Sequence, residues 1–394
     1  MLELNHSQTP WGRAVRVVVA DDSAVVRGVL ARLFAESDED GDGFRIELSA
    51  AAPDGQSCVR VVRALHPDVV VLDLDMPGLS GLEVIDLLRR EFPALPIIMF
   101  STYTARGARA TLDALARGAA DYVAKPSGQR DVSEALATLR EQLVPKIIAL
   151  ATRKPVIPER SLGSARPAKS GEVGSSPATP AQVIGIGLST GGPAALERLL
   201  PGLPANLAVP VLIVQHMPKL FTSALVSRLQ RICALKVRLA EQGDELRPGS
   251  IWLAPGDSHM EVVSGSQAVV RIALHNGALI NHCRPSVDPL FSSLARVYGS
   301  RSLGVIMTGM GSDGVEGARA MVRAGGSVLA QDEDSSAVWG MPGRVVDAGL
   351  AAAVVPLEEI AEQLVARTSP REERSIAVRG FEFNMERAKA YGSV

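Results

Sequence analysis

The chain has 394 residues and a mass of 41.5 kDa, which at roughly 150 residues per domain predicts two or three domains. Lys+Arg number 41 against 43 Asp+Glu, so no basic excess is present to hold nucleic acid, and no apolar run approaches the ~20 residues of a membrane span. The opening MLELNHSQTPWG lacks the order of a secretory signal, and Cys58, Cys233 and Cys283 form neither a disulfide framework nor a CxxC knuckle, so a cytoplasmic, soluble protein is expected.

In chain order, strands are predicted at VRVVVA (15–20), RIELSAA (45–51), DVVVLDL (68–74), PIIMFST (96–102) and DYVA (121–124). Helical patterns lie between them, such as GLEVIDLLRREF (81–92). Residues 152–182 follow, with 13 Pro, Gly or Ser among 31 and no aromatic side chain. Such a segment buries too little apolar surface to offset its ordering entropy and reads as a flexible linker. Beyond it, strands are predicted at VIGIGL (183–188), VPVLIVQ (209–215), SIWLAP (250–255) and SLGVIMTG (302–309). A polar tail starts near Thr368. Near-continuous apolar strands alternating with helices predict an α/β chain of two doubly wound parallel sheets. Chemistry in such sheets sits beyond the carboxyl ends of the strands.

In the first segment, those ends carry Asp21-Asp22, Asp73, Ser101-Thr102 and Lys125-Pro126. An Asp pair after a strand can simply cap a helix, and Lys-Pro is a common turn. Converging on one sheet edge, however, these residues form an acidic pocket. Three close carboxylates repel, and a hard cation such as Mg²⁺ relieves the repulsion while one carboxylate stays free to attack phosphorus. ADDSAVVR, LDLDMPGLSGLE, MFSTYT and GAADYVAKP resemble the response-regulator receiver domain over 14–145, a flavodoxin-like fold. The resemblance implies Asp73 as phosphoacceptor, and Asp21 and Asp22 with Asp73 as Mg²⁺ ligands. It further implies Ser101 as the switch hydroxyl, Lys125 as a phosphate contact and Tyr122 as the rotating aromatic. Asp75 would offer a backbone carbonyl. One departure is ESDEDGDGF (36–44), where Asp38, Asp40, Asp42 and Gly43 match half of a calcium loop. Ser49 stands where that loop needs Glu, so a solvated acidic loop is expected.

In the second segment, VIGIGL runs into Ser189-Thr190-Gly191-Gly192-Pro193, with Pro193 suited to the first turn of a helix. Ser189 is thus presented before a helix N-terminus whose N–H groups can hold an oxyanion. A nucleophilic serine needs a base and an acid to orient that base. His216, His259 and His282 compete for the first role; Asp313, Asp257 and Asp288 compete for the second. The order of the strands favours His216, and Asp313 lies in a Gly-rich loop after a strand.

GLSTGGP, VQHMPKLFT, GDELRPGSIWLAPGDSHM, RPSVDPLFSSLA, GVIMTGMGSDGVEGA, AQDEDSSAVWGMP and DAGLAAAVVPL together resemble the catalytic domain of the chemotaxis protein-glutamate methylesterases. The match spans about 183–365, in a domain expected at 183–367 after a linker at 151–182 and before a tail at 368–394 of unknown role. It implies Ser189 as nucleophile, His216 as base and Asp313 as its orienter, with Thr190 and Met310 as oxyanion-hole or support residues. Leu188 replaces the family's usual Ala before the serine. His259, His282, Arg284, Ser286 and Asp288 would support the site or contact substrate. The implied function is a phosphorylation-activated hydrolase of glutamyl methyl esters on chemoreceptor helices that also deamidates receptor glutamines. A chemotaxis histidine kinase would supply the phosphoryl group, and the ester chemistry would need no cofactor. The receiver would fold back over the esterase mouth until phosphorylated.

Three other readings fit the sequence less well. A DNA-binding output domain should be basic, whereas residues 183–367 hold 15 Lys+Arg against 16 Asp+Glu. A dinucleotide site needs GxGxxG after the first strand and a ribose-binding acid after the next; Gly185, Gly187 and Gly191 do not take that spacing, and Gln215 and His216 stand where the acid belongs. A noncatalytic phospho-dependent adaptor would have no need of an intact Ser-His-Asp set.

Overall fold

The computed structural model describes residues 14–36, 45–126, 132–152, 179–265 and 269–369. The chain divides into two compact units, Met1–Glu159 and Arg160–Val394. No helix among the described residues is long and apolar enough to cross a membrane.

The first unit runs β1 (Ala14–Ala20), α1 (Ala24–Glu36), β2 (Arg45–Ala52), α2 (Gly55–Leu65), β3 (Val69–Asp73), α3 (Gly81–Glu91), β4 (Ile97–Ser101), α4 (Ala105–Ala116), β5 (Asp121–Ala124), α5 (Val132–Gln142) and α6 (Val144–Ala151). Its five strands are all parallel, in the order β2-β1-β3-β4-β5. β3 and β4 are buried along their whole length, as expected when helices cover both faces. Local signals start the helices. Asp54 caps α2 by accepting from the Ser57 N–H, and Ser80 with Glu83 forms a reciprocal capping box on α3. The chain turns back between β1 and β3, so the ends of those strands open onto a crevice.

The second unit runs β6 (Val183–Leu188), α7 (Gly192–Leu199), β7 (Val211–Gln215), α8 (Lys219–Ile232), β8 (Lys236–Leu239), β9 (Ser250–Leu253), β10 (His259–Ser264), β11 (Val270–His275), α9 (Val287–Tyr298), β12 (Ser302–Ile306), α10 (Val315–Arg323), β13 (Ser327–Gln331), α11 (Met341–Asp347), β14 (Ala353–Val355) and α12 (Leu357–Thr368). Seven parallel strands take the order β14-β13-β12-β6-β7-β9-β8. β10 and β11 form a separate antiparallel hairpin. The winding reverses at β6, which lies between β12 and β7. Gly185 and Gly187 let α9 approach β6 closely. A Cβ at either would strike Phe291 and Leu294, or Val287, all fully buried. That approach matters below, because the N-terminus of α9 carries part of the site.

All nine predicted strands form; two are one residue longer than predicted, two match, and five are shorter by up to three residues at an end. The hairpin, β8, β13 and β14 carried no prediction. Of the expected linker, 153–178 lies outside the described residues. Ala151 closes α6, while Ala181 and Gln182 donate to the carbonyls of Arg367 and Arg301. Most of the acidic loop (37–44) and the tail from 370 also lie outside the described residues.

Candidate active site

Ser189 and His216 sit one step beyond neighbouring strands. Leu188 pairs with Gln215 across β6 and β7, and the His216 N–H donates to the Leu188 carbonyl at 3.0 Å. Parallel strands lie ~4.8 Å apart, so this register makes the two residues neighbours. On the other flank of Ser189, its own N–H donates to the carbonyl of Thr308, just past β12, at 3.0 Å. The Ser189 side chain is half-buried, and its hydroxyl has no hydrogen-bond partner among the described residues. Gly191, at φ +79°, turns the chain into α7 in the left-handed region that disfavours a Cβ.

The His216 ring is about nine-tenths buried, with 11% of the side chain exposed. Its Nε2 lies 2.7 Å from Asp313 Oδ2, and its Nδ1 lies 3.4 Å from Cys283 Sγ. Asp313, 2% exposed, is a crowded acceptor. Its Oδ1 accepts from Ser286 Oγ (2.6 Å) and Asn281 Nδ2 (3.0 Å), and its Oδ2 from the Val287 N–H (2.6 Å). Burial alone would raise the Asp313 carboxyl, but the bonds from His216, Ser286 and Val287 outweigh it and hold the acid below its usual range. The imidazole behaves in the mirror sense. Burial would lower it, yet Asp313 and then the Cys283 sulfur lift it above the ordinary histidine range.

The other candidates are placed differently. His259 is fully buried with both ring nitrogens engaged, Nε2 with the Ala278 carbonyl (2.9 Å) and Nδ1 with the Ser286 N–H (3.2 Å). One nitrogen must then donate and the other accept, so His259 is a neutral strut. Burial lowers its pKa in keeping with that. His282 and Asp257 are exposed. Asp288 accepts from Asn281 (2.9 Å) and from the Gly317 N–H (2.7 Å), which ties α9 to α10. Arg284 donates to the Gly277 carbonyl at 2.8 Å. Ser286 is fully buried and directed at Asp313, which makes it a support for the acid. Thr190 is buried, and its carbonyl accepts from Thr308 Oγ1 at 2.9 Å. In the loop after β12, the Gly309 N–H is taken by the Val338 carbonyl, while Met310 is half-buried.

Two residues near the site had no role from sequence. Gln215, 1% exposed, directs Nε2 at the carbonyls of both Ser189 (2.9 Å) and His216 (3.2 Å). A Cβ on Gly192 would collide with Gln215 Oε1, so the glycine makes room for this brace. Cys283 is the other. The only sequence signal for Gln215 was its place as the last residue of β7, and Cys283 had none.

In the first unit, ligand oxygens of Asp21, Asp22 and Asp73 lie within 4.8 Å of one another. Lys125 Nζ bridges Asp21 Oδ2 (2.8 Å) and Asp73 Oδ2 (2.7 Å). Burial raises the Asp73 carboxyl, with Lys125 opposing. Three hard oxygen donors, two of them buried, fit the acidic Mg²⁺ site of a receiver domain. Ser101 is buried and points toward the Gly107 carbonyl (3.4 Å) in α4. Tyr122 is also buried, and Asp75 is exposed. Lys146 of α6 donates to the Tyr122 carbonyl (2.8 Å) and pairs with Asp121 (2.7 Å).

Residues 184–364 match the CheB methylesterase family, and residues 17–137 match the response regulator receiver domain. A protein-glutamate methylesterase/protein-glutamine glutaminase of Trichodesmium erythraeum is 41% identical, covering 89% of this chain and 98% of that protein. Its counterpart in Nocardioides is 44% identical over 90% and 95%. The chain belongs to the chemotaxis protein-glutamate methylesterase/protein-glutamine glutaminase family. The crystal structure of the Thermotoga maritima CheB methylesterase catalytic domain is 40% identical over 48% of this chain and 98% of that one, with a TM-score of 0.46.

Proposed function

We propose that this methylesterase removes methyl esters from glutamyl side chains on the cytoplasmic helices of chemoreceptors, and amide nitrogen from receptor glutamines, with Ser189 as nucleophile. Ser189 Oγ attacks the side-chain carbonyl and passes its proton to His216 Nδ1, the ring nitrogen that is not bonded to Asp313. Asp313 holds the ring and steadies the imidazolium. The N–H groups of Thr190 and Met310 take the oxyanion at the start of α7 and in the loop after β12. His216 returns the proton to methanol or ammonia. Water, deprotonated by the same nitrogen, then releases the glutamyl side chain.

The observation that carries this reading is the register of β6 and β7, which sets Ser189 beside a histidine already bonded to a buried acid. Ser286 is unsuited to the role, because its hydroxyl is fully buried and directed at Asp313.

In this reading residues 14–145 are the receiver, 151–182 the linker and 183–367 the esterase domain. Asp73 accepts a phosphoryl group from a chemotaxis histidine kinase. Asp21, Asp22 and Asp73 would hold Mg²⁺, which when bound supplies charge neutralisation at the phosphoryl oxygens. Lys125 moves to the phosphate, Ser101 and Tyr122 carry the switch, and phosphorylation raises the esterase rate in the cytoplasm. Methanol release from methylated receptor tests the reading, with and without a small acyl-phosphate donor. Full activity in Ser189→Ala overturns the assignment of the nucleophile.

A further inference from the structure

Cys283 sits in a Cys-His-Asp line that the ester reaction does not use. Its Sγ is 3.4 Å from His216 Nδ1, and the same ring holds Asp313 at 2.7 Å through Nε2. Among the described residues, no other side chain is hydrogen-bonded to Nδ1. A base nitrogen aimed at a thiol, with its far side bonded to a carboxylate, is the arrangement that activates sulfur for attack.

Cys283 as a residue is also partly exposed. It closes a tight bridge with Ile280, in a loop where Leu279 is 59% exposed and Asn281 and His282 are exposed. The other two cysteines lack both features. Cys58 is fully buried, and burial pushes its thiol up to about 12. Cys233 is buried against the Leu200 carbonyl, and burial raises its thiol too.

We propose that Cys283 is a modification site through which peroxides and small soft electrophiles switch the esterase off by capping the base nitrogen of His216. This rests on His216 as the base. With hydrogen peroxide, the thiol proton passes to Nδ1 as sulfur attacks one oxygen. The S–O bond forms and the O–O bond breaks. The departing hydroxide takes the proton from His216 and leaves as water. Sulfur is oxidised by two electrons to the sulfenic acid, and peroxide is reduced. The new S–OH stands against Nδ1, where it occupies the lone pair that Ser189 needs. An alkylating agent acts likewise, forming a C–S bond, losing halide and leaving a bulky group in the same place.

The test uses the full-length protein, treated briefly with iodoacetamide or with hydrogen peroxide. Modification of each cysteine is followed by peptide mass spectrometry, and methanol release from methylated receptor is measured alongside. Cys283 should be labelled about tenfold or more faster than Cys58 and Cys233, because burial raises the thiols of those two and each unit of that rise cuts their thiolate fraction tenfold. Activity should fall in step with that labelling, and dithiothreitol should restore it after peroxide. The activity of Cys283→Ser or Cys283→Ala should no longer fall on treatment. Equal labelling of the three cysteines, or undiminished activity after full capping of Cys283, overturns the proposal. So does equally fast inactivation of the Cys283 variants. His216→Ala separates this from the underlying reading. Retained esterase activity in that variant removes His216 as base, whereas an unchanged labelling rate at Cys283 removes the activated thiol.

Discussion

His216 Nε2 lies 2.7 Å from Asp313 Oδ2, and this one bond decides which end of the ring works. With Nε2–H donating to a buried carboxylate, Nδ1 is left as the nitrogen that can accept a proton. Ser286, Asn281 and the Val287 N–H occupy the rest of Asp313, so the acid cannot turn away.

Ser189→Ala should lower methanol release by roughly 10⁴ or more, since members of a triad act as a unit. Ser286→Ala removes one hydrogen bond to Asp313 and leaves His216 its carboxylate, so its loss should be far smaller. The two variants, compared by kcat on methylated receptor, decide between the serines. A larger loss in Ser286→Ala would exchange their roles.

The imidazole of His216 should titrate above the ordinary value of ~6.5 in an NMR titration of the folded protein. Its raised pKa means that the folded state favours the imidazolium. That contribution to stability is therefore complete below pH ~6.5 and is lost as pH rises through the raised value. Because the base must be neutral, kcat/KM should climb over the same alkaline range. Asp313→Asn removes the charge that lifts the ring, so the titration should move down. A titration unmoved by Asp313→Asn would deny the coupling.

Gln215 braces Ser189 and His216 through their carbonyls. Gln215→Glu sets a carboxylate against those two carbonyl oxygens in a buried place, which should cost about 1–3 kcal/mol in unfolding free energy. Small displacements of reacting groups cost up to about 10²-fold in rate, so kcat should drop by tens of fold with KM little changed. Gln215→Ala should lie between the two. A purely structural brace would lower stability and leave kcat of the folded fraction intact.

Asp73→Asn should abolish activation by an acyl-phosphate donor and leave the basal esterase rate in place. Asp73 is buried, held by Lys125 and the Leu74 N–H, and belongs to a unit separate from Ser189. Phosphate incorporation and methanol release from the same samples check both halves. Continued incorporation would move the phosphosite to Asp22 or Asp75.

The sequence alone determined nine of the strands and what stands at their ends. Apolar runs such as VIGIGL and VLIVQ are local signals, and a residue just past such a run must lie at a sheet edge. Hence Ser189, His216, Asp73 and Lys125 could be read as candidates. The short β8 and β14 and the partly exposed hairpin gave weaker patterns and went unread. What only the tertiary structure decided was which candidates meet. His216 and Asp313 are 97 positions apart. They meet because β12 lies beside β6 on the side away from β7, an order no periodicity encodes. The glycines of β6 then let α9 close in, bringing Ser286 and Val287 onto Asp313. Gln215 and Cys283 became legible only there, because hydrogen bonds across a sheet depend on strand order and close packing rather than on neighbours in the chain.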